Sequence, residues 1–345
     1  MAEFRPAEFR DECVLDPGNF GYAVDGTLRC RAPPHAQFQW DPSNPRQQQE
    51  YDALADSVLA YCQRSLGQML EEVELPGSGT PVWVSRPGAA SGTTEHSPAA
   101  RTLLLIQGSG RVRAGVWGCA LCINAEEGLR KGTMMEYIER AHALGYRVVV
   151  ANPNAEADTA GHIRRLWQHV VMRPCGGPSV GAGAGAGDGA TEAAGVADGS
   201  VDVVAHSRGG RTFLELLQSL ADDRRSVLAI GRVAATDSYH DSGQVDALRR
   251  VDNAPSSGCD SATLMRLLHS VRNYVPSTAD VGAPVDRWTS LRMQFTANEK
   301  APMQCISACT DDHASTNYCA VDAIFAWLAE DEEDGDDMSG GTHKS

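Results

Sequence analysis

The sequence has no apolar run long enough to cross a bilayer. None approaches the roughly 18 uncharged residues that a span requires, and the longest, such as Thr102-Leu-Leu-Leu-Ile106, are of strand length. The first ten residues, Met-Ala-Glu-Phe-Arg-Pro-Ala-Glu-Phe-Arg, lack the apolar stretch of a secretory signal. The chain is therefore expected to be soluble and not secreted, with no membrane association. It is also short of basic charge: 30 Lys and Arg stand against 45 Asp and Glu, a net charge of −15. A molecule of that sign repels nucleic-acid phosphate, which disfavours direct nucleic-acid binding. The ten cysteines are too sparse in 345 residues for a disulfide-stapled mini-fold. Spread along a chain with no secretory signal, they read as free thiols of the cytosol or nucleus.

What is present is an ordinary globular composition, 42% hydrophobic and 22% charged. Residues 1–45, rich in turn formers, read as an extended lead-in. Tyr51, Leu54, Val58, Cys62, Leu66 and Met69 then recur at spacings of three and four, which predicts a helix packed by one face and stopping near Pro76. Pro81 to Val84 is a short strand, and Ser85 to Ala100 a flexible connection.

Beyond it, short apolar runs alternate with helical periodicity. Strands are expected at Thr102–Ile106, Arg147–Ala151, Val201–Ala205, Val227–Ala235 and Met303–Ala308. Helices are expected from a Thr133 cap to Leu144, along Ile163, Leu166, Trp167 and Val170, over Gly209–Leu220, along Leu264, Leu267, Leu268 and Val271, and, after the last strand, along Tyr318, Val321, Ile324, Phe325 and Leu328. Repeated strand–helix–strand units with unbroken apolar strands imply a mainly parallel sheet covered on both faces, an α/β fold in a single domain over residues 46–329. Residues 240–300 are assigned to a cap over the site. Two segments fall outside the plan: the Gly/Ala-rich stretch 176–200, expected to be a disordered insertion, and the acidic tail 330–345.

The strongest chemical signal is Val203-Val-Ala205-His206-Ser207-Arg208-Gly209-Gly210, an apolar strand running into small residues around a serine and then into a helix. This is a nucleophile-elbow arrangement, in which a sharp turn projects the Ser207 hydroxyl above a helix N-terminus. An activated serine needs a base and an orienting acid, in the order Ser, Asp, His at later strand ends. His313 follows the last strand and Asp237 follows Val233-Ala-Ala-Thr236; Asp280, Asp286, Asp311 and Asp312 compete with Asp237 for the acid. His240 reads as a hydrogen-bonding neighbour of Asp237, and His206, adjacent to the serine, as badly placed to serve it.

An oxyanion hole is expected from the Arg208 amide and from Ser109 or Gly110 in Gln107-Gly-Ser-Gly110. The glycine spacing there matches neither a Walker loop nor a dinucleotide fingerprint. Cys119-x-x-Cys122 has no second pair, and Cys305 and Cys309 belong to an apolar strand, which argues against zinc. No cofactor and no metal are expected.

Several pieces together resemble the Arb2 family, named for an argonaute-binding protein. They are Phe20-Gly-Tyr-x-x-x-x-Gly-x-Leu28, Leu105-Ile-Gln-Gly-Ser-Gly-x-Val-Arg-Ala-Gly-x-Trp117, Gly145-Tyr-x-Val-Val-Val-x-Asn-Pro-Asn154, the serine elbow, Thr236-Asp-Ser238 and the late His313. The resemblance implies an α/β-hydrolase fold, a three-layer sandwich with a serine in the nucleophile position. It also implies cellular work through protein partners, argonaute, chromatin or splicing factors. Two functions follow: a serine hydrolase acting on a small ester, thioester or amide, or a scaffold of the same fold that binds partners with little or no catalysis. In this family pattern, Arg113, Trp117 and Asn154 are expected to brace the oxyanion loop.

Overall fold

The computed structural model describes residues 13–15, 20–23, 25–30, 38, 40–41, 43–86, 101–124, 126–172, 200–238, 242–251, 258–285 and 303–330. The Gly/Ala stretch up to residue 199, residues 87–100, the acidic tail from residue 331, His240 and Asp286 lie outside the described residues.

Within the expected lead-in, strands β1 (Cys13–Leu15), β2 (Phe20–Tyr22) and β3 (Leu28–Cys30) pair antiparallel into a small sheet. Its Leu15, Tyr22 and Leu28 are buried with Leu54, Val58 and Cys62 of helix α1 (Pro45–Met69). That helix begins where the Asn44 side chain accepts from the Arg46 and Gln47 amides, with Pro45 in its first turn. It ends at Met69, short of the expected stop near Pro76. The reason lies in Leu70-Glu-Glu-Val-Glu74, which leaves the helix to pair as strand β4 (Leu70–Glu74), antiparallel to β5 (Pro81–Ser85).

Strand β6 (Thr102–Ile106) is buried throughout. After it come α2 (Cys119–Ile123), α3 (Gly128–Gly132), α4 (Met135–Ala143) and β7 (Arg147–Val150). Thr133 does not begin that helix but closes the one before it: as the C-terminal cap of α3 its amide and hydroxyl both donate to the Leu129 carbonyl, the hydroxyl at 2.7 Å, and α4 starts two residues later. Helix α5 (Thr159–Leu166) is capped by Asp158 and continues into a wider π turn over Trp167–Val171. Then follow β8 (Val201–His206), α6 (Arg208–Leu220), α7 (Arg224–Leu228) and β9 (Ile230–Thr236). Val227, expected in a strand, sits in α7 because Asp223 caps that turn through Ser226.

The chain continues through α8 (Ser242–Arg249), α9 (Ser261–Ser270), β10 (Arg272–Val275), β11 (Gln304–Ser307) and α10 (Thr316–Leu328). The described part of 240–300 is thus not a cap. It supplies helices and a sheet strand, β10, that pairs parallel with both β9 and β11.

The large sheet has eight strands in the order β11-β10-β9-β8-β6-β7-β5-β4, parallel from β11 to β7 with β5 and β4 antiparallel at one edge. Side chains alternate between its two faces. Leu103, Leu105 and Val204 meet α4 and α10, while Leu104, Ile106, Val203 and Ala205 meet α5, α6, α8 and α9. Each fully buried aliphatic side chain contributes about 1.5–3 kcal/mol, so the two apolar layers hold the sheet between them. The result is the expected three-layer α/β sandwich with a mainly parallel sheet. Strand order reverses around β6, whose neighbours are β7 and β8, and the crevice at such a reversal is where open α/β sheets bind ligands. Among the described residues no helix is long and apolar enough to cross a membrane.

Candidate active site

At the carboxyl end of β8 the chain turns sharply into α6 through Ser207, a non-glycine residue at φ 52°, ψ −120°. Such a backbone costs about 1–3 kcal/mol and persists only where surroundings enforce it. They do so here. The Ser207 amide donates to the Thr236 carbonyl at 3.0 Å. A side chain at Gly209 would put its Cβ 2.5 Å from the Ile106 carbonyl oxygen, and one at Gly210 would land 1.5 Å from Ser238 Oγ. The two glycines are thus required for α6 to start against β6 and β9.

Asp237 follows β9 at φ 39°, again strained. Its amide donates to the Tyr274 carbonyl at 2.7 Å. Next to it, Asn273 of β10 clamps Ser238 from both sides: its Oδ1 accepts from the Ser238 amide at 3.1 Å and its Nδ2 donates to the Ser238 carbonyl at 3.0 Å. The turn is fixed by the strand that sequence reading did not foresee.

His313 comes from the loop after β11, and its Nδ1 donates to Asp237 Oδ2 at 2.5 Å. The structure therefore joins His313 to Asp237, and Ser207 lies with them at the carboxyl ends of the central strands. Among the described rivals, Asp280, Asp311 and Asp312, none shares that hydrogen bond. Asp312 is turned to its own loop, accepting from the Ser315 amide and hydroxyl and the Ala314 amide. Burial alone raises its carboxyl, yet these bonds hold it below the usual value. Asp280 and Asp311 are exposed.

The ring of His206 stacks on that of His313, centroids 4.9 Å apart and planes at 25°. His206 is 4% exposed, and burial, followed by the charge of His313, pushes it down to about 3. It is a neutral imidazole at any ordinary pH.

The loop after β6 lies against the serine through Gly108: a Cβ there would sit 3.0 Å from Ser207 Cβ. Ser109 and Gly110 are exposed, Gly110 at φ 103° with open space around it. Arg208 begins α6, so its amide is among the unpaired donors of that helix start. Asn154 Nδ2 donates to the Gly108 carbonyl at 2.7 Å and reaches the Val112 carbonyl at 3.4 Å. Asn152 Oδ1 accepts from the Ala114 amide at 3.2 Å, while its Nδ2 donates to the Pro81 carbonyl. Its own amide donates to Nε2 of the fully buried His162, whose Nδ1 is held by Glu156. The Asn-Pro-Asn motif thus braces the segment that follows β6. Trp117 packs edge-on against Tyr137 and His206; Arg113 Nη1 donates to the adjacent Val112 carbonyl at 3.0 Å.

Cys119 and Cys122, weighed above as metal ligands, lie buried with Cys62 in the small N-terminal core. Burial pushes Cys119 up to about 12, so its thiolate is out of reach. Among the described residues no group of three or more His, Cys, Asp or Glu side chains is arranged to hold a metal ion.

Comparison with known proteins agrees with the motifs. Residues 16–173 match the Arb2 domain model. Cotranscriptional regulator ARB2A of Homo sapiens is 27% identical over 336 residues, 83% of this chain and 72% of that one. A FAM172 family protein homolog of Caenorhabditis elegans is 36% identical over 206 residues, 55% of this chain and 56% of that one. Among solved structures, Est1E from Butyrivibrio proteoclasticus aligns at a TM-score of 0.39 and 9% identity, covering 75% of this chain and 97% of that one. FphF, a fluorophosphonate-binding serine hydrolase of Staphylococcus aureus, aligns at 0.41 and 11%, covering 76% and 98%. The resemblance to the Arb2 family is thus shown, and the sheet order with its strand-to-helix serine turn makes the fold α/β-hydrolase-like.

Proposed function

We propose that this chain, an Arb2-type protein on an α/β-hydrolase-like sheet, is a serine hydrolase acting on a small ester, thioester or amide. The observation that carries the proposal is the 2.5 Å contact of His313 Nδ1 with Asp237 Oδ2 at the sheet edge where Ser207 is held at φ 52°. Ser207 Oγ attacks the carbonyl carbon and its proton passes to His313 Nε2. The oxyanion of the tetrahedral intermediate is received by the Arg208 amide and by an amide of the 108–110 loop, Ser109 or Gly110 as the motif implies, with Gly108 nearest to the serine. Collapse expels the alcohol, thiol or amine, which takes the proton from His313. Water then attacks the acyl-serine with His313 as base. Asp237 keeps the His313 Nδ1 protonated, so that Nε2 is the free lone pair. None of these steps calls for a cofactor.

A fluorophosphonate probe with mass-spectrometric mapping tests this. Labelling at Ser207 in the wild type and none in Ser207→Ala is the expected result. A folded wild type that stays unlabelled would overturn it.

The names of the relatives favour a second reading beside the first. Proteins named cotranscriptional regulators work in the nucleus with other macromolecules, and the net charge of −15 points to protein partners, with argonaute, chromatin or splicing factors suggested by the family resemblance. On this reading the fold is a scaffold, and Ser207→Ala leaves the partners recovered by affinity purification unchanged.

A further inference from the structure

Among the described residues, His206 is the imidazole beside His313 to which the hydrolytic steps assign no role. Its ring is fixed on several sides. Nδ1 donates to the Thr236 carbonyl at 3.0 Å and lies 3.1 Å from the Thr236 hydroxyl. That hydroxyl donates to Asn317 Oδ1 at 2.5 Å, and the Asn317 carbonyl accepts from Tyr137 at 2.8 Å. Trp117 closes another side edge-on, with centroids 6.2 Å apart. What the ring offers to the site is its flat face, and His313 lies on it.

We propose that His206 is a positioning residue for His313: its neutral ring is the platform on which the His313 imidazolium is stabilised and its plane held while a proton passes through it. The inference rests on the hydrolase reading for its catalytic consequence, though the stacking itself does not. Asp237 grips His313 at one edge and so fixes rotation within the ring plane. An edge contact leaves tilt out of that plane free, and a stacked face removes it. A cation within about 6 Å of an aromatic centroid is attracted to the ring face, so the 4.9 Å stack favours the protonated form that His313 passes through. This works only if His206 carries no charge. Its Nδ1–H is committed to a carbonyl and its burial opposes protonation, so the platform stays neutral. Of the titratable groups shown facing His313, Asp237 comes from the end of β9, Asp312 from its own loop and His206 from β8. Asp312 is ionised and tied to Ser315, so it adds a constant field.

The test is carried out on the full chain with wild type, His206→Asn and His206→Phe, folding verified for each. The His313 pKa is read by NMR titration, and the pH profile of fluorophosphonate labelling is followed in parallel. Removing the platform in His206→Asn is expected to lower the His313 pKa by about half a unit and to slow labelling about tenfold. His206→Phe keeps an uncharged ring face and is expected to bring both most of the way back. A purely structural role for His206 predicts no shift in pKa and equal damage from both variants, and either result overturns the proposal. If the wild type does not label, the hydrolase reading falls while the NMR titration still decides the stacking.

Discussion

Two buried aspartates sit at opposite ends of the same sheet, and they are used in opposite ways. Asp202, near the start of β8, is fully buried and saturated with fixed donors: the Arg101 guanidinium at 2.6 Å, the Tyr146 hydroxyl at 2.5 Å and the Arg232 amide at 2.6 Å. Arg101 and Arg232 also donate to the Leu328 carbonyl at 3.2 and 3.1 Å, so the cluster ties the end of α10 to the foot of the sheet. Asp237, just past β9, faces an imidazole, a partner that can both take up and release a proton. Its backbone is held at positive φ, while Asp202 sits in β8 at the register shift between Val201 and Val203, without positive φ. Buried charge by itself therefore marks no active site. What separates the two is a titratable partner, backbone held at positive φ, and the carboxyl end of the sheet.

The largest expected effect tests the upper aspartate. Asp237→Asn keeps the shape but removes the charge that holds the His313 tautomer, and fluorophosphonate labelling at Ser207 is expected to fall about 10³ to 10⁴-fold with little change in Tm. An unchanged labelling rate would erase the distinction between the two ends. Asp202→Ala is the mirror experiment. It strands the Arg101 guanidinium and the Arg232 amide, so chemical denaturation should show a loss of about 3–5 kcal/mol, while the labelling rate per folded molecule stays at the wild-type value.

The smallest effect is a slope with pH. Burial raises the Asp202 carboxyl above its ordinary 3.8, against the pull of Tyr146 and Arg101. Below 3.8 it is protonated in both folded and unfolded chains and contributes nothing. As pH rises through the raised folded value, the folded chain holds its proton longer than the unfolded one, so stability declines. Asp202→Asn should flatten that part of the stability profile. Glu139, pushed up to about 7 by burial and by Glu136, adds a decline of the same sign between 4.5 and 7. The comparison must accordingly be made between wild type and variant at each pH, and a wild type no steeper than Asp202→Asn would contradict the assignment.

Much of this was legible in the sequence because the signals are local. Small residues at Ala205, Gly209 and Gly210 announce a strand packed against a helix, and the structure shows the carbonyl and hydroxyl that forbid a side chain there. The parallel strands were legible because burial on both faces removes the need for alternation. Strand β10 was not, because Arg272-Asn-Tyr-Val275 is half polar, and its asparagine is spent on Ser238, 35 residues away. His206, expected to be badly placed to serve the serine, is turned to Thr236 and His313 instead, and that stacking was not legible. Adjacency along the chain says that two side chains point apart, but the turn at Ser207 carries His206 beneath a ring delivered from the far end of the domain. Likewise Gly108, and not its exposed neighbours, lies against the serine, because contact there is decided by how β6 and β8 pair.

The late arrival of His313 has a consequence for how the protein is made. The elbow on β8 and the acid after β9 are synthesised first, and the ring that joins them follows 76 residues behind Asp237. At about 5–20 residues per second that is an interval of roughly 4–15 s. During it, the nascent chain carries its serine and its acid without their histidine. Hydrolytic competence, on the proposed chemistry, would thus be conferred only when β11 and α10 settle onto the sheet.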